Sequence, residues 1–355
     1  MLAVGRAFIS LGLSSVGFLY VNVDDGWQVA RNSTGYIIED PARFPSGFAA
    51  LASGLHAMGL RSGLYTSATS LTCQDRPGSY GFEAQDAASY CAFGVDYAKI
   101  DLCGGAHWPE RNTSWIKFRS GLDKCAASGG RNITMSVEYC DAGQDCSWIS
   151  GLADLWRCSG DIQSNWPSIL HNLDAADANA AAQRPGHYND PDMLVCGEPG
   201  VTLVECQSQI GAWAVVVAPL LLSLDLTAPQ PPALMALLLN AEVLAVSQDA
   251  ARVQGGRVSA ANASGVECWA RPLAPSAGGI AAAAAAPTEL AVLLLNRGEA
   301  PSDVACSWAE LGVAAGATAA VRDLWAQQDL PDAVGSVAAA GVAPHASRLL
   351  RLKLA

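Results

Sequence analysis

The chain is short of basic residues, of long apolar runs and of cysteines at metal-binding spacing, and each shortage removes a class of function. Lys and Arg number 21 against 33 Asp and Glu, a net charge of −12. That balance argues against nucleic acid or an anionic membrane surface as a partner and favours a neutral or uncharged substrate. The most apolar run, Ala212 to Leu226, is interrupted by Pro219 and falls short of the roughly 20 residues that a membrane span needs. It reads as a buried helix end followed by a strand. The 11 cysteines include no CxxC pair and no Cys/His set at zinc spacing, so they do not read as a metal framework. No signal peptide is visible either, since Met1–Arg6 leads directly into a helix-like segment instead of an apolar run.

What is present is core and oxidation chemistry. With 355 residues and 51% hydrophobic content, the chain can bury a sizeable core in one large domain or two. Disulfides are the expected use of the cysteines, the odd count leaving at least one thiol over. Sequons at Asn32, Asn112, Asn132 and Asn262 favour the secretory pathway, hence a secreted, vacuolar or lysosomal protein.

Strands and helices alternate over the first 255 residues or so. Strand-like runs are Phe18–Val23, Arg61–Thr66, Tyr97–Asp101, Ile133–Glu138, Leu155–Cys158, His187–Asn189 and Leu220–Ser223. Helical spacing marks 3–16, Phe48 to Met58, 83–93, 114–127, 166–173 and 203–217. Such alternation predicts parallel βαβ units and an α/β fold, a (β/α)8 barrel over 1–255. Seven strands are countable where a barrel has eight. Because a helix precedes the first, the eighth is expected upstream of Met1, so an N-terminally truncated barrel is predicted. After residue 255 the pattern turns to helix-free strands, including Val266–Trp269, Leu290–Leu295, Ala320–Leu324 and Leu349–Leu354, which predicts a separate antiparallel β-sandwich domain over 256–355. Gly278–Ile280 and Ala281–Ala286 read as a low-complexity loop.

The chemistry is expected at the C-terminal ends of the barrel strands. Within Tyr97-Ala98-Lys99-Ile100-Asp101-Leu102-Cys103, Lys99 and Asp101 share one strand face while Ala98 and Ile100 share the other. A buried cation and anion on one face need a partner or a polar pocket. Other strand ends add Asp24, Asp25, Tyr65, Glu138, Arg157 with Asp161 beyond it, and Asp190 with Asp192. Singly, Asp24-Asp25-Gly26 and Asn189–Asp192 read equally well as turns, and Arg157 with Asp161 as a solvated pair. Together on successive strand ends they form an acidic ring with two cations, which suits glycosidic-bond chemistry. A Schiff-base aldolase using Lys99 is the competing enzymatic reading.

Tyr20–Trp27, Gly63-Leu64-Tyr65, Lys99–Cys103, Trp156-Arg157 with Gly160-Asp161-Ile162, Asn189–Leu194, Ala218-Pro219-Leu220 and Ser247-Gln248-Asp249 resemble the melibiase-type α-galactosidases of glycoside hydrolase family 27. The resemblance runs through nearly the whole chain in order. It implies a (β/α)8 barrel with a C-terminal antiparallel β-domain, and retaining hydrolysis of terminal α-galactosides without a cofactor. By this resemblance Asp101 is the nucleophile and Asp161 the general acid/base. Asp24 and Asp25 bind the sugar 4- and 6-hydroxyls, and Tyr65, Lys99, Arg157 and Asp192 complete the ring. Cys73 bridges to Cys103. Glu138 and Tyr139, where the N-acetylgalactosaminidase branch has small residues, favour a 2-hydroxyl and hence galactose. Three departures stand out: Val137-Glu138-Tyr139-Cys140 stands where many relatives have Cys-Glu-Trp, the family's first strand and its tryptophan-containing start are absent, and Gly26 stands where a cysteine is usual. The alternatives within this reading are an α-N-acetylgalactosaminidase and a catalytically silent galactose-binding fragment, and a homodimer stays open.

Overall fold

The first helix is shorter than its hydrophobic spacing predicts because Gly12 takes the left-handed conformation (φ 78°). Helix α1 (Leu2–Ser10) therefore ends early and a 3-10 turn, Leu13–Val16, carries the chain to Gly17. The computed structural model describes residues 1–105, 107, 112–138, 147–259, 265–275 and 287–355. Tyr139, Cys140, the Asn262 sequon and the 278–286 loop lie outside the described residues. The chain divides into two compact units, residues 1–140, 145–157 and 225–229 in one and 141–144, 158–224 and 230–355 in the other.

In the first unit, β1 (Tyr20–Val23) is followed by a hairpin the sequence reading did not place, β2 (Gln28–Arg31) and β3 (Ile37–Glu39). Then come α2 (Gly47–His56), β4 (Arg61–Ser67), α3 (Glu83–Phe93), β5 (Tyr97–Asp101), α4 (Thr113–Ala127), β6 (Thr134–Glu138) and β7 (Leu155–Arg157). β1, β4, β5, β6 and β7 pair in that order, all parallel. Helices on the connections cover the strands, so β4 is buried at every position after Arg61, as a parallel sheet requires. The register sets Tyr65 beside Lys99, Ser67 beside Asp101 and Glu138 beside Arg157, so the polar strand ends finish level with one another. A Cys91–Cys125 disulfide ties α3 to α4.

In the second unit, α5 (Trp166–Ala178) is capped by the Asn165 side chain, which accepts from the Ser168 N–H. β8 (Tyr188–Asp190) follows, and the Asp190 carbonyl accepts from the Cys158 N–H. α6 (Leu203–Val215) starts on a capping box between Thr202 and Glu205. The strand expected at Leu220–Ser223 is reduced to one parallel bridge, Leu194–Leu222. Pro219 has no N–H to give, and the Ser223 hydroxyl takes the Leu194 carbonyl that a longer ladder would use. Two short helices come next, α7 (Pro232–Leu238) and α8 (Ala241–Ser247).

The strand region holds β9 (Gly256–Arg257), β10 (Val266–Leu273), β11 (Glu289–Asn296), β12 (Ser302–Ser307), β13 (Thr318–Asp323), β14 (Gln328–Val334), β15 (Ser336–Val342) and β16 (Ser347–Leu354). Six form an antiparallel sheet in the order β14-β13-β16-β11-β10-β9, and β12 pairs with β15 in a second sheet. Between them lies a core of Val292, Leu294, Trp308, Val321, Val337, Leu350 and Leu352, stapled by Cys268–Cys306. Arg271 on β10 is fully buried and spends its guanidinium on carbonyls alone. It donates to Ala214 at the end of α6, to Val246 at the end of α8 and to Val253, where helix dipoles favour a cation. Burial pulls it down only to about 10, so it stays charged at neutral pH. Leu294 is 0% exposed in the sandwich core. Leu294→Ala is expected to cost about 2–5 kcal/mol, read as a lower denaturant midpoint; an unchanged midpoint would remove it from the core.

Candidate active site

The level strand ends of the first unit carry seven of the nine residues singled out for catalysis and sugar binding: Asp24, Asp25, Tyr65, Lys99, Asp101, Glu138 and Arg157. Asp161 and Asp192 belong to the second unit. Asp101 is buried at the end of β5. The Tyr65 hydroxyl donates to its Oδ2 at 2.6 Å and the Leu102 N–H to its Oδ1 at 2.6 Å. A hydrogen bond also joins its carboxyl to that of Glu138. Burial raises the Asp101 pKa, but the bonds from Glu138, Tyr65 and Leu102 and the charge of Lys99 outweigh it and hold the group below the usual carboxylate range.

Glu138 behaves in the opposite way. Burial first, then its bond to Asp101 and the Asp101 charge, push it up to about 8 against the pull of Arg157 and Lys99. The pair therefore shares one proton, held on Glu138 and donated to Asp101. Arg157 Nη1 stands 3.6 Å from Glu138 Oε1. Lys99 Nζ reaches Asp24 Oδ2 at 3.1 Å and lies 5.2 Å from the centre of the Tyr65 ring. Burial lowers its pKa, but the charges of Asp24, Glu138 and Asp101 more than reverse this, so it is firmly cationic.

The turn after β1 is built to hold its two aspartates out. Asp24 Oδ1 accepts from the Asp25 N–H, and the Asp25 carboxylate accepts from Gly26 N–H at 2.6 Å and Gln74 N–H at 2.8 Å. Gly26 takes φ +86° with the Gln74 side chain against it, so a side chain here would be strained in this backbone. Trp27, fully buried, anchors the turn by donating its indole N–H to the Tyr65 carbonyl at 2.7 Å. That carbonyl also accepts from the Tyr90 hydroxyl at 2.8 Å.

Cys73 and Cys103 are disulfide-bonded, and Cys73 Sγ lies 3.3 Å from Asp101 Oδ2. The Ser67 and Thr69 hydroxyls both donate to the Cys103 carbonyl. Gly104 follows with φ +87°, where a Cβ would run into the Leu71 and Thr72 carbonyls. Sequence reasoning missed this bracing. Its signal was the polar run Ser67–Thr72 after a buried strand, four members of which are fully buried.

In the second unit, Asp161 is exposed, four residues beyond Arg157. The following Ile162 N–H donates to Asp192 Oδ2 at 2.9 Å, and the Asp192 N–H to Asp190 Oδ1. Asp192 takes φ +75°, and its carbonyl accepts from the Trp213 indole at 2.8 Å. Asn172 donates to the carbonyls of Gly160 and Pro191, tying the two acidic loops of this unit together.

A family model described as alpha galactosidase A, of the melibiase type, matches residues 2–249. The chain belongs to the melibiase family of glycoside hydrolases. A second model, the alpha galactosidase C-terminal beta sandwich domain, matches residues 263–352. Among curated melibiase relatives, alpha-galactosidase 2 of Arabidopsis thaliana is 37% identical over 350 residues, 98% of this chain and 83% of its own. The alpha-galactosidase of Oryza sativa subsp. japonica is 36% identical over 343 residues, 96% of this chain and 76% of its own. The crystal structure of alpha-galactosidase I from Mortierella vinacea matches with TM-score 0.87 at 28% identity, covering 99% of this chain and 91% of that one. The fold is thus the α/β barrel class of the melibiases with a C-terminal β-sandwich, and the activity is hydrolysis of terminal α-galactosyl residues.

Because the Tyr65 hydroxyl favours the charged form of Asp101, Tyr65→Phe is expected to raise the Asp101 pKa, read by NMR titration of isotope-labelled carboxyl groups. A fall or no change would show that this hydrogen bond does not set its charge.

Proposed function

We propose that this melibiase acts by double displacement with retention, Asp101 attacking the anomeric carbon and Asp161 protonating the departing oxygen, then activating the water that releases galactose. The observation that carries the reading is the setting of Asp101, a carboxylate held ionised by the Tyr65 hydroxyl, the Leu102 N–H and the Glu138 carboxyl, with the Lys99 charge nearby. A nucleophile has to be charged; Asp96 and Asp86 of this unit are braced too, by His56, Ser62 and Arg131 and by Arg31, whereas Asp101 closes strand β5 beside Glu138 and Lys99. Retention calls for the two carboxyl groups to stand about 5–5.5 Å apart across the glycosidic bond.

Asp24 and Asp25, held out by their turn, take the far hydroxyls of the sugar, with Lys99 beside Asp24. Tyr65, Glu138, Arg157 and Asp192 complete the ring. Glu138, whose proton is taken up in the bond to Asp101, keeps a carboxyl oxygen free to accept from a 2-hydroxyl, which supports galactose over an N-acetylated sugar. The substrate is a terminal α-galactoside of an oligosaccharide, glycolipid or galactomannan. Residues 1–255 form the catalytic barrel and 256–355 the β-domain in this reading, supported by family matches over 2–249 and 263–352. Passage through the secretory pathway is supported by disulfides at Cys73–Cys103, Cys91–Cys125, Cys196–Cys206 and Cys268–Cys306, which cytosolic thiol pools would keep reduced.

Asp101→Asn is expected to lower turnover of an aryl α-galactoside by at least about a thousandfold, the scale on which loss of a nucleophile acts, with an unchanged melting temperature. Residual activity above that level would take the nucleophile role from Asp101. Glu138 titrates near about 8, so raising the pH through that value puts a second negative charge against Asp101. kcat/KM of the free enzyme is expected to fall there, and Glu138→Gln to lose this alkaline limb. An alkaline limb that survives the substitution would assign it to another group.

A further inference from the structure

The tip of the β2–β3 hairpin is a feature the proposed mechanism leaves unused. Asn32, Ser33 and Thr34 are exposed there and spell a sequon. The Asn32 side chain makes three hydrogen bonds, all ending on Oδ1: from the Thr34 N–H at 3.0 Å, the Thr34 hydroxyl at 2.8 Å and the Tyr36 N–H at 2.9 Å. An amide fixed through its oxygen directs Nδ2 away from the turn. The hairpin that carries it is firmly held. Arg31 forms a two-pronged ion pair with the buried Asp86 at 2.7 Å and donates to the Gly35 carbonyl. Gln85 Nε2 donates to the Thr34 carbonyl, and Phe82 packs under Gly35.

Across the hairpin the Asn32 N–H donates to the Tyr36 carbonyl at 2.8 Å. Residues 32 and 36 are thus an opposed pair whose side chains lie on one face, the spacing at which cross-strand neighbours touch. Tyr36 is 47% exposed, an outlying aromatic ring with no core to enter. Sugar rings have one face of C–H groups, and an aromatic face beside an attachment point is a natural surface for the first of them.

We propose that Asn32 is an N-glycan acceptor and that the Tyr36 ring seats the first N-acetylglucosamine. This rests on the reading that the chain passes through the secretory pathway. The donor is a lipid-linked pyrophosphoryl oligosaccharide. A bond forms between Asn32 Nδ2 and the sugar C1, the bond from C1 to the pyrophosphate oxygen breaks, the lipid pyrophosphate leaves, and Nδ2 gives up one proton. Transfer takes place on the nascent chain. The folded geometry decides whether the modified chain can reach this fold, and an outward Nδ2 on a braced turn allows it. The other described sequons differ: Asn112 is half-buried at φ +53°, whereas Asn132 is exposed and serves as a control.

The test is to express the full chain behind a secretion leader in eukaryotic cells and treat it with peptide N-glycosidase in heavy-oxygen water. In protein recovered from the medium, most Asn32 is expected to convert to heavy-oxygen aspartate, and Thr34→Ala to abolish the conversion. Secreted protein with Asn32 unconverted overturns the acceptor site while leaving the pathway reading standing. Protein retained in cells with Asn32 and Asn132 both bare overturns both. Enzymatic removal of the glycan is expected to lower the melting temperature more in the parent than in Tyr36→Ala; equal shifts overturn the contact with the ring.

Discussion

The site depends on one shared proton. Asp101 and Glu138 sit on neighbouring strands with their carboxyl groups in hydrogen-bonding contact, and two bare negative charges at that separation in a buried setting would repel strongly. One of the two has to stay neutral, and the surroundings decide which. Asp101 collects the Tyr65 hydroxyl, the Leu102 N–H and the field of Lys99. Glu138 has Arg157 at a longer 3.6 Å. The asymmetry of donors is what turns two similar acids into a charged one and a proton carrier.

That asymmetry needs the strand ends fixed to within fractions of an ångström, and the chain achieves this with braces placed behind the reacting groups. The Tyr65 carbonyl is gripped by Trp27 and Tyr90 together, so the strand that delivers the phenol cannot slide. The Cys73–Cys103 disulfide and the Ser67 and Thr69 hydroxyls lock the segment just past Asp101. Packing, oxidation and hydrogen bonding thus act on the same few residues, each from a different side.

Much of this was legible in the sequence because strand alternation is local. Lys99 and Asp101 two apart on one face, and Asp24-Asp25-Gly26-Trp27 closing a strand, needed no knowledge of distant contacts. The carboxyl pair was not legible, since it depends on the register between β5 and β6, set by a connection of more than thirty residues. The β2–β3 hairpin escaped because its strands are short, although its Asn and Gly turn residues were a usable signal. β14 and β15 escaped because exposed residues and an alanine run hide the twofold pattern. The expected strand at Leu220–Ser223 failed on Pro219, where loss of one donor outweighed a run of leucines.

Arg271 carries a consequence for how this architecture can be taken apart. Its guanidinium closes the carbonyl ends of α6 and α8 from a position on β10, so helices and strands of the second unit end on one another's atoms. Cutting the chain in the linker before β10 would strand orphaned backbone oxygens on one fragment and a bare cation in the apolar interior of the other. The strand-rich C-terminal region is therefore a poor candidate for recombination as an independent module, and chimeras that exchange it have to carry the matching helix termini along.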